Sequence, residues 1–530
     1  MTERPNARYL WLPFVLGLVL ATGIYLGTIL VPERKVSAYN KIGDVLDYIQ
    51  QEYVDTISRN QIVDLGIEKM LEQLDPHSAY IPASDVQSAN EPLEGNFEGI
   101  GIEFHLQQDS IMIVSVISGG PSESVGLQPG DRIVKVNGKS VVNKSITNEE
   151  VFKLLRGKGG TLVTVSVYRN YNAGLRDFKI TRGKIPINSV DIAYMMDKNI
   201  GYMKISRFAA TTYDEFMESM EKLQNAGMQK LVLDLRGNPG GYLDAATRMA
   251  DEFLDGKKLI VYTNGRSRPR TDYYAEMPGV FEKGELVVLV DEGSASASEI
   301  VAGALQDWDR ATLIGRRSFG KGLVQEQTVF PDGSAMRLTI ARYYTPTGRS
   351  IQKPYDKGVR EYEEEVYNRF VHGELESADS IKFADSLKYR TPKGKIVYGG
   401  GGIMPDLFIP RDTMYESDLF ERIFASGALN QFAYDYVDRN RKSLLSYKNA
   451  VDFRTRFTVT PAIVEELITF AETRGVERNV KQLNHSEPLL INYLKAYIGR
   501  LLFQNEGLYP VLHEFDPAVK KAVQLLNKPI

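Results

Sequence analysis

The sequence predicts a multi-domain α/β protein that begins with a transmembrane helix and ends in a helical tail. Three observations lead to this prediction: a charge-free apolar run near the N-terminus, short β-type runs over 97–185, and alternating strand and helix patterns beyond residue 186. The 530 residues exceed one ordinary domain of about 100–200 residues, and a hydrophobic fraction of 43% excludes wholesale disorder. We therefore expect these regions: 1–35, 36–96, 97–185, 186–415 and 416–530.

The first region contains 23 residues without a charge, from Tyr9 to Val31, preceded by Arg4 and Arg8. About 20 apolar residues span a bilayer, whereas the apolar core of a cleaved signal peptide has about 7–15 and ends at a small-x-small site. No Ala-x-Ala site follows this run. The pattern favours an uncleaved signal anchor with the N-terminus inside. We expect a single-pass protein of the inner (cytoplasmic) membrane, with its body periplasmic or extracytoplasmic.

The composition excludes several functional classes. With 64 Lys and Arg against 68 Asp and Glu, the net charge is −4, which argues against broad nucleic-acid binding through phosphates. The absence of cysteine excludes disulfides, Cys-ligated zinc, iron–sulfur clusters and thiol nucleophiles.

Residues 36–96 alternate apolar and charged positions at helical spacing, which predicts two or three amphipathic helices. They close on a turn cluster, Leu74-Asp75-Pro76-His77-Ser78. A lone histidine beside Asp-Pro is more often a turn residue than a catalytic group, and we favour that interpretation of His77.

From Phe97 to residue 185, short alternating β runs surround two short helices, which predicts a compact module. The segment Gly99-Ile100-Gly101-Ile102 and the run GGPSESVGLQPGDRIVKVNG together resemble a PDZ domain. Such domains bind a peptide's C-terminal carboxylate on backbone N–H groups and add the peptide to a sheet edge. The resemblance implies that the loop includes Gly99, Ile100 and Gly101, and that Ile102 and Phe104 line an apolar pocket.

Beyond Pro186, alternating strands and helices predict an α/β core with crossover helices. Its first glycine-marked turn, Arg236-Gly237-Asn238-Pro239-Gly240-Gly241, lacks the pattern of a phosphate-binding loop. A Gly-Gly pair there exposes backbone N–H groups, as an oxyanion hole requires, although a plain βα turn is the commoner interpretation.

The second turn, Asp291 to Glu299, places three serines between a buried strand and an apolar helix. These serines are either N-caps, with Ser298 or Ser296 as the cap, or one is a nucleophile on a tight turn. None of the five histidines lies in a comparable strand-end motif, so a Ser-His-Asp triad is unattractive.

The third turn, Ser318-Phe319-Gly320-Lys321-Gly322, offers another base. Its lysine is either a surface cation or a buried amine, and burial lowers a lysine pKa until the neutral amine can accept a serine proton. Gln325 lies four residues beyond Lys321, where its amide can orient the amine or the serine.

These segments together resemble the C-terminal processing peptidases, or tail-specific proteases. The matching stretches, over about 40–410, are LDPHSAYIP, LDLRGNPGG, GSASASEIVAGAL, SFGKGLVQ and ARYYTPTGRSIQ. The resemblance implies that Ser296 is the nucleophile, Lys321 the general base and Gln325 its partner. It also implies an oxyanion hole formed by the N–H of Ala297 and that of Gly240 or Gly241, of which we prefer Gly241.

Glu299 matches an acidic position of this pattern, without a defined role. The charged stretch 357–395 reads as a solvated insertion or surface helix, and 416–530 as a helical region of unknown role.

We expect a membrane-anchored serine endopeptidase that binds C-terminal tails through its PDZ domain and cleaves through an acyl-enzyme, without metal or organic cofactor. Its expected partners are proteins or peptides with accessible, apolar C-terminal tails. The alternative is a catalytically inactive PDZ scaffold at the membrane; an acyl-transfer enzyme is disfavoured because no coenzyme site is recognisable. The oligomeric state stays open.

Overall fold

The computed structural model describes residues 11–30, 38–107, 110–142, 146–169 and 174–528. The chain divides into two compact units, Met1–Leu71 and Glu72–Ile530. The first unit is helical, and its helices are α1 (Leu12–Leu30), α2 (Ala38–Glu52) and α3 (Arg59–Glu72). The amphipathic pattern of 36–96 therefore forms α2 and α3, and continues in the second unit as α4 (Val86–Glu94).

Helix α1 spans 19 residues and is shorter than the 23-residue charge-free run that suggested a membrane anchor. Within the described part of the chain, no helix is both long and apolar enough to cross a membrane. The predictions of a transmembrane signal anchor, of a membrane partner and of a single-pass inner-membrane location are therefore wrong. The two ends of the charge-free run, Tyr9 and Val31, lie outside the described residues.

A β-rich module follows α4. Its elements are β2 (Asn96–Gly99), β3 (Ile102–Gln107), β4 (Ser110–Val116), α5 (Pro121–Ser124), β5 (Arg132–Val136), β6 (Lys139–Ser140), α6 (Asn148–Leu155), β7 (Leu162–Tyr168), β8 (Arg176–Thr181) and β9 (Gly183–Pro186). The main sheet has the order β3-β4-β5-β7-β8, so β3 lies at an edge. Thr147 begins α6 through a capping box with Glu150, whose side chain accepts the Thr147 N–H at 2.9 Å.

The α/β core contains a six-stranded sheet of order β10-β11-β12-β15-β16-β21. Its strands are β10 (Val190–Met195), β11 (Ile200–Ile205), β12 (Lys230–Asp234), β15 (Glu285–Val290), β16 (Thr312–Gly315) and β21 (Leu407–Phe408). Strand β10 is antiparallel to β11, and the other pairs are parallel. The covering helices are α7 (Thr212–Asn225), α8 (Leu243–Asp251) and α9 (Ala297–Asp307). This arrangement confirms the predicted α/β architecture.

A second sheet contributes the strand that follows the Lys321 turn. Its strands are β1 (Ala79–Ile81), β13 (Leu259–Asn264), β14 (Thr271–Tyr274), β17 (Leu323–Val329) and β18 (Ala335–Tyr344), in the order β1-β18-β13-β14 with β17 also paired to β18. Strand β1 directly follows the Leu74–Ser78 turn and pairs with β18. The turn therefore lies beside β18.

The charged stretch 357–395 contains helix α10 (Val359–Val371), and β19 (Lys388–Arg390) and β20 (Ile396–Tyr398) pair around its end. Most of α10 is exposed or half-buried, as its charges predict, but Tyr362 and Arg369 are buried. The helix therefore has a packed side as well as a solvated one.

The C-terminal region is helical, as predicted. Its helices are α11 (Asp418–Ala425), α12 (Ala428–Arg439), α13 (Arg441–Leu444), α14 (Ala450–Arg456), α15 (Pro461–Glu472), α16 (Val480–Leu512) and α17 (Pro517–Leu526). Helices α11–α16 share their own hydrophobic core, while α17 packs Val519 and Ala522 on the six-stranded sheet. The Arg441 guanidinium donates to the Pro129 carbonyl at 3.0 Å, and Arg500 pairs with Glu103 at 2.8 Å. The region thus contacts both the β-rich module and the α/β core.

Candidate active site

The three glycine-marked turns lie at one edge of the six-stranded sheet. Strands β12, β15 and β16 are adjacent and parallel, so their carboxyl ends meet at the same edge. The turns that follow them contain Gly240, Ser296 and Lys321, respectively. Loops at the carboxyl ends of parallel strands are the usual location of α/β active sites.

Ser296 lies directly before helix α9, with φ +54° and ψ −112°. A non-glycine residue rarely adopts positive φ, and such strain is typical of functional positions. Ser296 is partly exposed, whereas Ser294 and Ser298 are fully buried and donate to the carbonyls of Leu235 and Asn238 at 2.8 and 3.0 Å. Of these three serines, only Ser296 is accessible to a substrate.

Lys321 is half-buried, and its Nζ donates to Oε1 of Gln325 at 3.2 Å. Burial lowers the pKa of Lys321, and the positive charge of Arg337 lowers it further, while Asp75 and Glu299 act in the opposite direction. Among the described residues, no hydrogen bond joins Lys321 Nζ to Ser296 Oγ. The structure therefore brings Lys321 and Gln325 together, and burial lowers the pKa of the lysine amine below its ordinary value.

Glu299 and Tyr343 join the backbones of the serine turn and the lysine turn. Oε2 of Glu299 accepts the N–H groups of Ser296 and Lys321 at 2.8 and 2.9 Å. The Tyr343 hydroxyl lies 3.0 Å from the Ser296 carbonyl oxygen and 2.6 Å from that of Lys321. Two side chains that are fully or almost fully buried thus hold the two turns at a defined separation.

The other carboxylate oxygen of Glu299 accepts the Ser318 hydroxyl at 2.5 Å and the Gly320 N–H at 2.8 Å. Burial raises the pKa of Glu299 to about 7, although hydrogen bonds from Ser318 and from backbone N–H groups favour the ionised form. The sequence showed Glu299 only as an acidic position of a motif, and its connection to both turns emerges from the fold.

The Gly240-Gly241 pair lies against the start of helix α9. A Cβ at Gly240 would come 2.7 Å from Ser296 Cβ and 2.8 Å from the Ala297 nitrogen. The Gly240 N–H donates to the Asn238 side chain at 2.9 Å, whereas the N–H groups of Gly241 and Ala297 have no hydrogen bond among the described residues. Gly241 and Ala297 therefore each present an unoccupied backbone donor near the serine turn.

The Leu74–Ser78 turn reaches the same site, which the sequence did not predict. The side-chain amide of Gln325 donates to the carbonyl oxygen of His77. The His77 ring lies 2.8 Å from the Tyr362 hydroxyl, and burial and the charge of Lys321 lower the pKa of His77 to about 4. His77 is thus a turn residue, as favoured from the sequence, but its backbone positions Gln325. The fragment LDPHSAYIP was the available signal.

A buried ion pair supports the glycine turn. Arg236 contacts both carboxylate oxygens of Asp234, and its Nη1 pairs with Asp516 at 2.8 Å. The Tyr202 hydroxyl donates to Asp234 at 2.7 Å. Burial opposes ionisation of Asp234, but the charges of Arg236 and Lys204 hold its pKa below the ordinary value. The glycine turn therefore begins at a buried ion pair between Asp234 and Arg236.

In the β-rich module, the predicted peptide-binding residues lie in the edge strand β3 and in the loop that leads into it. Gly99 ends β2, and Ile102 and Phe104 belong to β3. The N–H groups of Ile100 and Gly101 make no hydrogen bond among the described residues. Phe104 packs edge-on against Phe152 of α6, with ring centroids 5.5 Å apart. Strand β3 and helix α6 are therefore in contact through these two rings.

Comparison with known proteins agrees with this arrangement. Peptidase family S41 matches residues 199–361, a PDZ domain matches 112–169, and a family of unknown function matches 419–504. The carboxy-terminal processing protease CtpA of Bacillus subtilis (strain 168) is 37% identical over 325 residues, which cover 61% of this chain and 68% of that protein. The chain belongs to the S41 family of C-terminal processing peptidases.

Other members of this S41 family are similar over comparable lengths. The "Probable CtpA-like serine protease" of Staphylococcus aureus (strain N315) is 37% identical over 323 residues, and the match covers 61% of this chain but only 63% of that protein's length. Among solved structures, the photosystem II D1 C-terminal processing protease is 26% identical, with 71% of this chain and 88% of that chain covered and a TM-score of 0.37.

Proposed function

We propose that the protein is a serine endopeptidase in which Ser296 is the nucleophile, Lys321 the general base and Gln325 the partner that orients the base. The observation that carries this proposal is the half-buried Lys321 amine, which hydrogen-bonds Gln325 and whose turn is joined to that of Ser296 through Glu299. The strained, accessible Ser296 and the lowered pKa of Lys321 support it.

The proposed reaction begins when neutral Lys321 accepts the proton of the Ser296 hydroxyl as the serine oxygen attacks the scissile carbonyl carbon. The protonated lysine then donates to the departing amine, and the peptide C–N bond breaks. A water molecule, deprotonated by the same amine, hydrolyses the acyl-enzyme and releases the carboxylate product. The Lys321 side chain reaches Ser296 Oγ by a rotamer change, since catalytic hydrogen bonds often tighten only in the complex with substrate.

The N–H groups of Ala297 and Gly241 are the proposed oxyanion donors. Both lack a hydrogen-bond partner among the described residues, and Gly240 packs directly on Ser296 Cβ and the Ala297 nitrogen. The N-terminus of α9 adds the favourable end of its dipole. A negative charge that develops on the carbonyl oxygen therefore meets two preorganised donors.

The PDZ domain is proposed to bind the C-terminal tail of the substrate. The N–H groups of Ile100 and Gly101 would donate hydrogen bonds to the terminal carboxylate, and the edge of β3 would pair with the peptide. Ile102 and Phe104 favour apolar tail residues. The Bacillus subtilis relative is a carboxy-terminal processing protease, which supports the same substrate class.

The proposal is tested by degradation of an unfolded protein that ends in an apolar tail, with wild type, Ser296→Ala and Lys321→Ala compared. We expect loss of cleavage in both variants with folding and tail binding preserved. The matched control is Lys357→Ala, because the Lys357 side chain is 70% exposed and its amine pairs with Glu361. Cleavage by Ser296→Ala at the wild-type rate would refute the assignment. Tail binding without turnover in the wild type would instead identify a scaffold.

A further inference from the structure

The turn that carries Lys321 is held from two sides by two buried side chains, the carboxyl group of Glu299 and the guanidinium of Arg369. On one side, Glu299 accepts the N–H groups of Gly320 and Lys321 at 2.8 and 2.9 Å. On the other side, the Arg369 guanidinium donates to the carbonyl oxygens of Ser318 and Phe319, at 2.7 and 2.9 Å. The Glu299 carboxyl group thus accepts the N–H donors of the turn, and the Arg369 guanidinium donates to its carbonyl acceptors.

Arg369 belongs to helix α10 and has only 2% of its side chain exposed. Its Nε donates to Glu365, one helical turn earlier, at 2.7 Å. The other Glu365 oxygen accepts Lys353 Nζ at 3.0 Å, and the backbone N–H of Lys353 donates to the Gly320 carbonyl at 2.9 Å. The guanidinium is therefore fixed by a carboxylate that is itself connected to the same turn.

The geometry of these contacts matters because the turn contains two glycines. Gly320 has φ +92°, and Gly322 follows Lys321, so the unsupported segment has large conformational freedom. A guanidinium is a planar fork whose two nitrogens bind two acceptors in fixed directions, which a lysine ammonium cannot do. Two consecutive carbonyls held by one fork restrict the orientation of the peptide plane just before Gly320 and Lys321.

We propose that Arg369 is a positioning residue for the general base: through the carbonyls of Ser318 and Phe319 it holds the turn that aims Lys321 at Ser296. The proposal rests on the Ser296/Lys321 chemistry proposed above. The S41 match ends at residue 361, so Arg369 and Glu365 lie beyond it, in a stretch that the sequence indicated only as a solvated insertion. Helix α10 thereby becomes part of the catalytic support.

The test compares steady-state cleavage of a tailed substrate by wild type, Arg369→Ala and Arg369→Lys. For Arg369→Ala we expect kcat to fall by about 10- to 100-fold with KM nearly unchanged, since misplacement of a catalytic group by about 1 Å has effects of this size. Millimolar guanidinium chloride should restore part of the kcat of Arg369→Ala and leave the wild type unaffected. Arg369→Lys should stay impaired, because it retains the charge but loses the fork.

The matched control is Arg360→Ala on the same helix, where the arginine side chain is 89% exposed and pairs with Glu364. It should retain the wild-type kcat. If Arg369→Ala does not fold, Glu365→Gln provides the second variant, with a smaller loss of kcat in the same direction expected because the guanidinium loses its carboxylate support.

Two outcomes would overturn the proposal. The first is a folded Arg369→Ala variant with wild-type kcat. The second is a loss of kcat in Arg369→Ala that guanidinium does not rescue and that is fully explained by a smaller amount of folded protein. Ser296→Ala is measured in parallel. Cleavage by Ser296→Ala would refute the proposed function itself, whereas an inactive Ser296→Ala beside a fully active Arg369→Ala would refute only the role of Arg369.

Discussion

Ser296 and Lys321 are 25 positions apart in the chain, yet their backbone N–H groups share one side-chain partner and their carbonyl groups share another. One oxygen of Glu299 accepts both N–H groups, and the Tyr343 hydroxyl lies within hydrogen-bond distance of both carbonyl oxygens. The proposed nucleophile and base are therefore positioned by a common support. The side chains themselves are not hydrogen-bonded to each other among the described residues, so the catalytic contact depends on the backbone arrangement and on Lys321 rotamers.

Glu299→Gln should alter the pH dependence of stability. Burial raises the pKa of Glu299 to about 7 from its ordinary 4.5, so between these values the folded chain retains a proton that the unfolded chain has released. The associated stability is fully present below pH 4.5 and is lost as pH rises through 7; it amounts to about 3 kcal/mol, an order-of-magnitude value. Urea unfolding at a series of pH values measures this difference in free energy. Equal pH slopes in wild type and Glu299→Gln would contradict the prediction.

Arg337→Gln should move the acid limb of the pH–rate profile to higher pH. The charge of Arg337 is, after burial, the largest influence that lowers the pKa of Lys321, so its removal raises that pKa. In the proposed mechanism the base is the neutral amine. Because a higher pKa keeps the amine protonated up to a higher pH, activity should begin to fall at a higher pH when the solution is acidified. The measurement is kcat/KM against pH. Arg342→Gln, at an exposed position of the same strand, is the control and should leave the profile unchanged.

Gly240→Ala should abolish activity, whereas Gly237→Ala in the same turn should not. Both glycines have positive φ, at +96° and +66°, so each alanine costs about 1–2 kcal/mol of stability. Only the Cβ at position 240 would collide with Ser296 Cβ and the Ala297 nitrogen; at 237 nothing lies within 4 Å. Cleavage assays and thermal unfolding of the two variants separate these effects. Equal activity in both would show that close packing at Gly240 is dispensable.

Gln325→Leu and Gln325→Glu should reduce activity in different ways. Leucine removes the acceptor 3.2 Å from Lys321 Nζ, and kcat should fall by about 10- to 100-fold at every pH. Glutamate places a negative charge beside the amine and raises the lysine pKa, so part of the lost activity should return at high pH. Profiles of kcat against pH distinguish them. Identical profiles for the two variants would argue against contact between Gln325 and the base.

Local patterns in the sequence predicted the positions of the three turns in the α/β core. Buried strands followed by glycine-marked turns predicted where Gly241, Ser296 and Lys321 belong in the fold, because hydrophobic runs and turn residues report on their own neighbourhood. The structure places these three turns on adjacent parallel strands. The roles of Ser296, Lys321 and Gln325 remain proposals that the variants above test.

The prediction of a membrane span was based on a count of consecutive uncharged residues in the sequence. The absence of charge over Tyr9–Val31 suggested a membrane span, whereas no helix of the described residues is long and apolar enough to cross a membrane.

The sequence by itself determined the order of elements, the glycine turns after buried strands and the amphipathic helices, since each depends on residues within a few positions. The tertiary structure decided that Glu299 would accept donors from two turns, that the His77 carbonyl would hold Gln325, and that Arg369 would bind the carbonyls of the Lys321 turn. These contacts join residues up to 248 positions apart. Pairing between buried polar groups is set by the three-dimensional packing that excludes water, and periodicity along the chain carries no record of it.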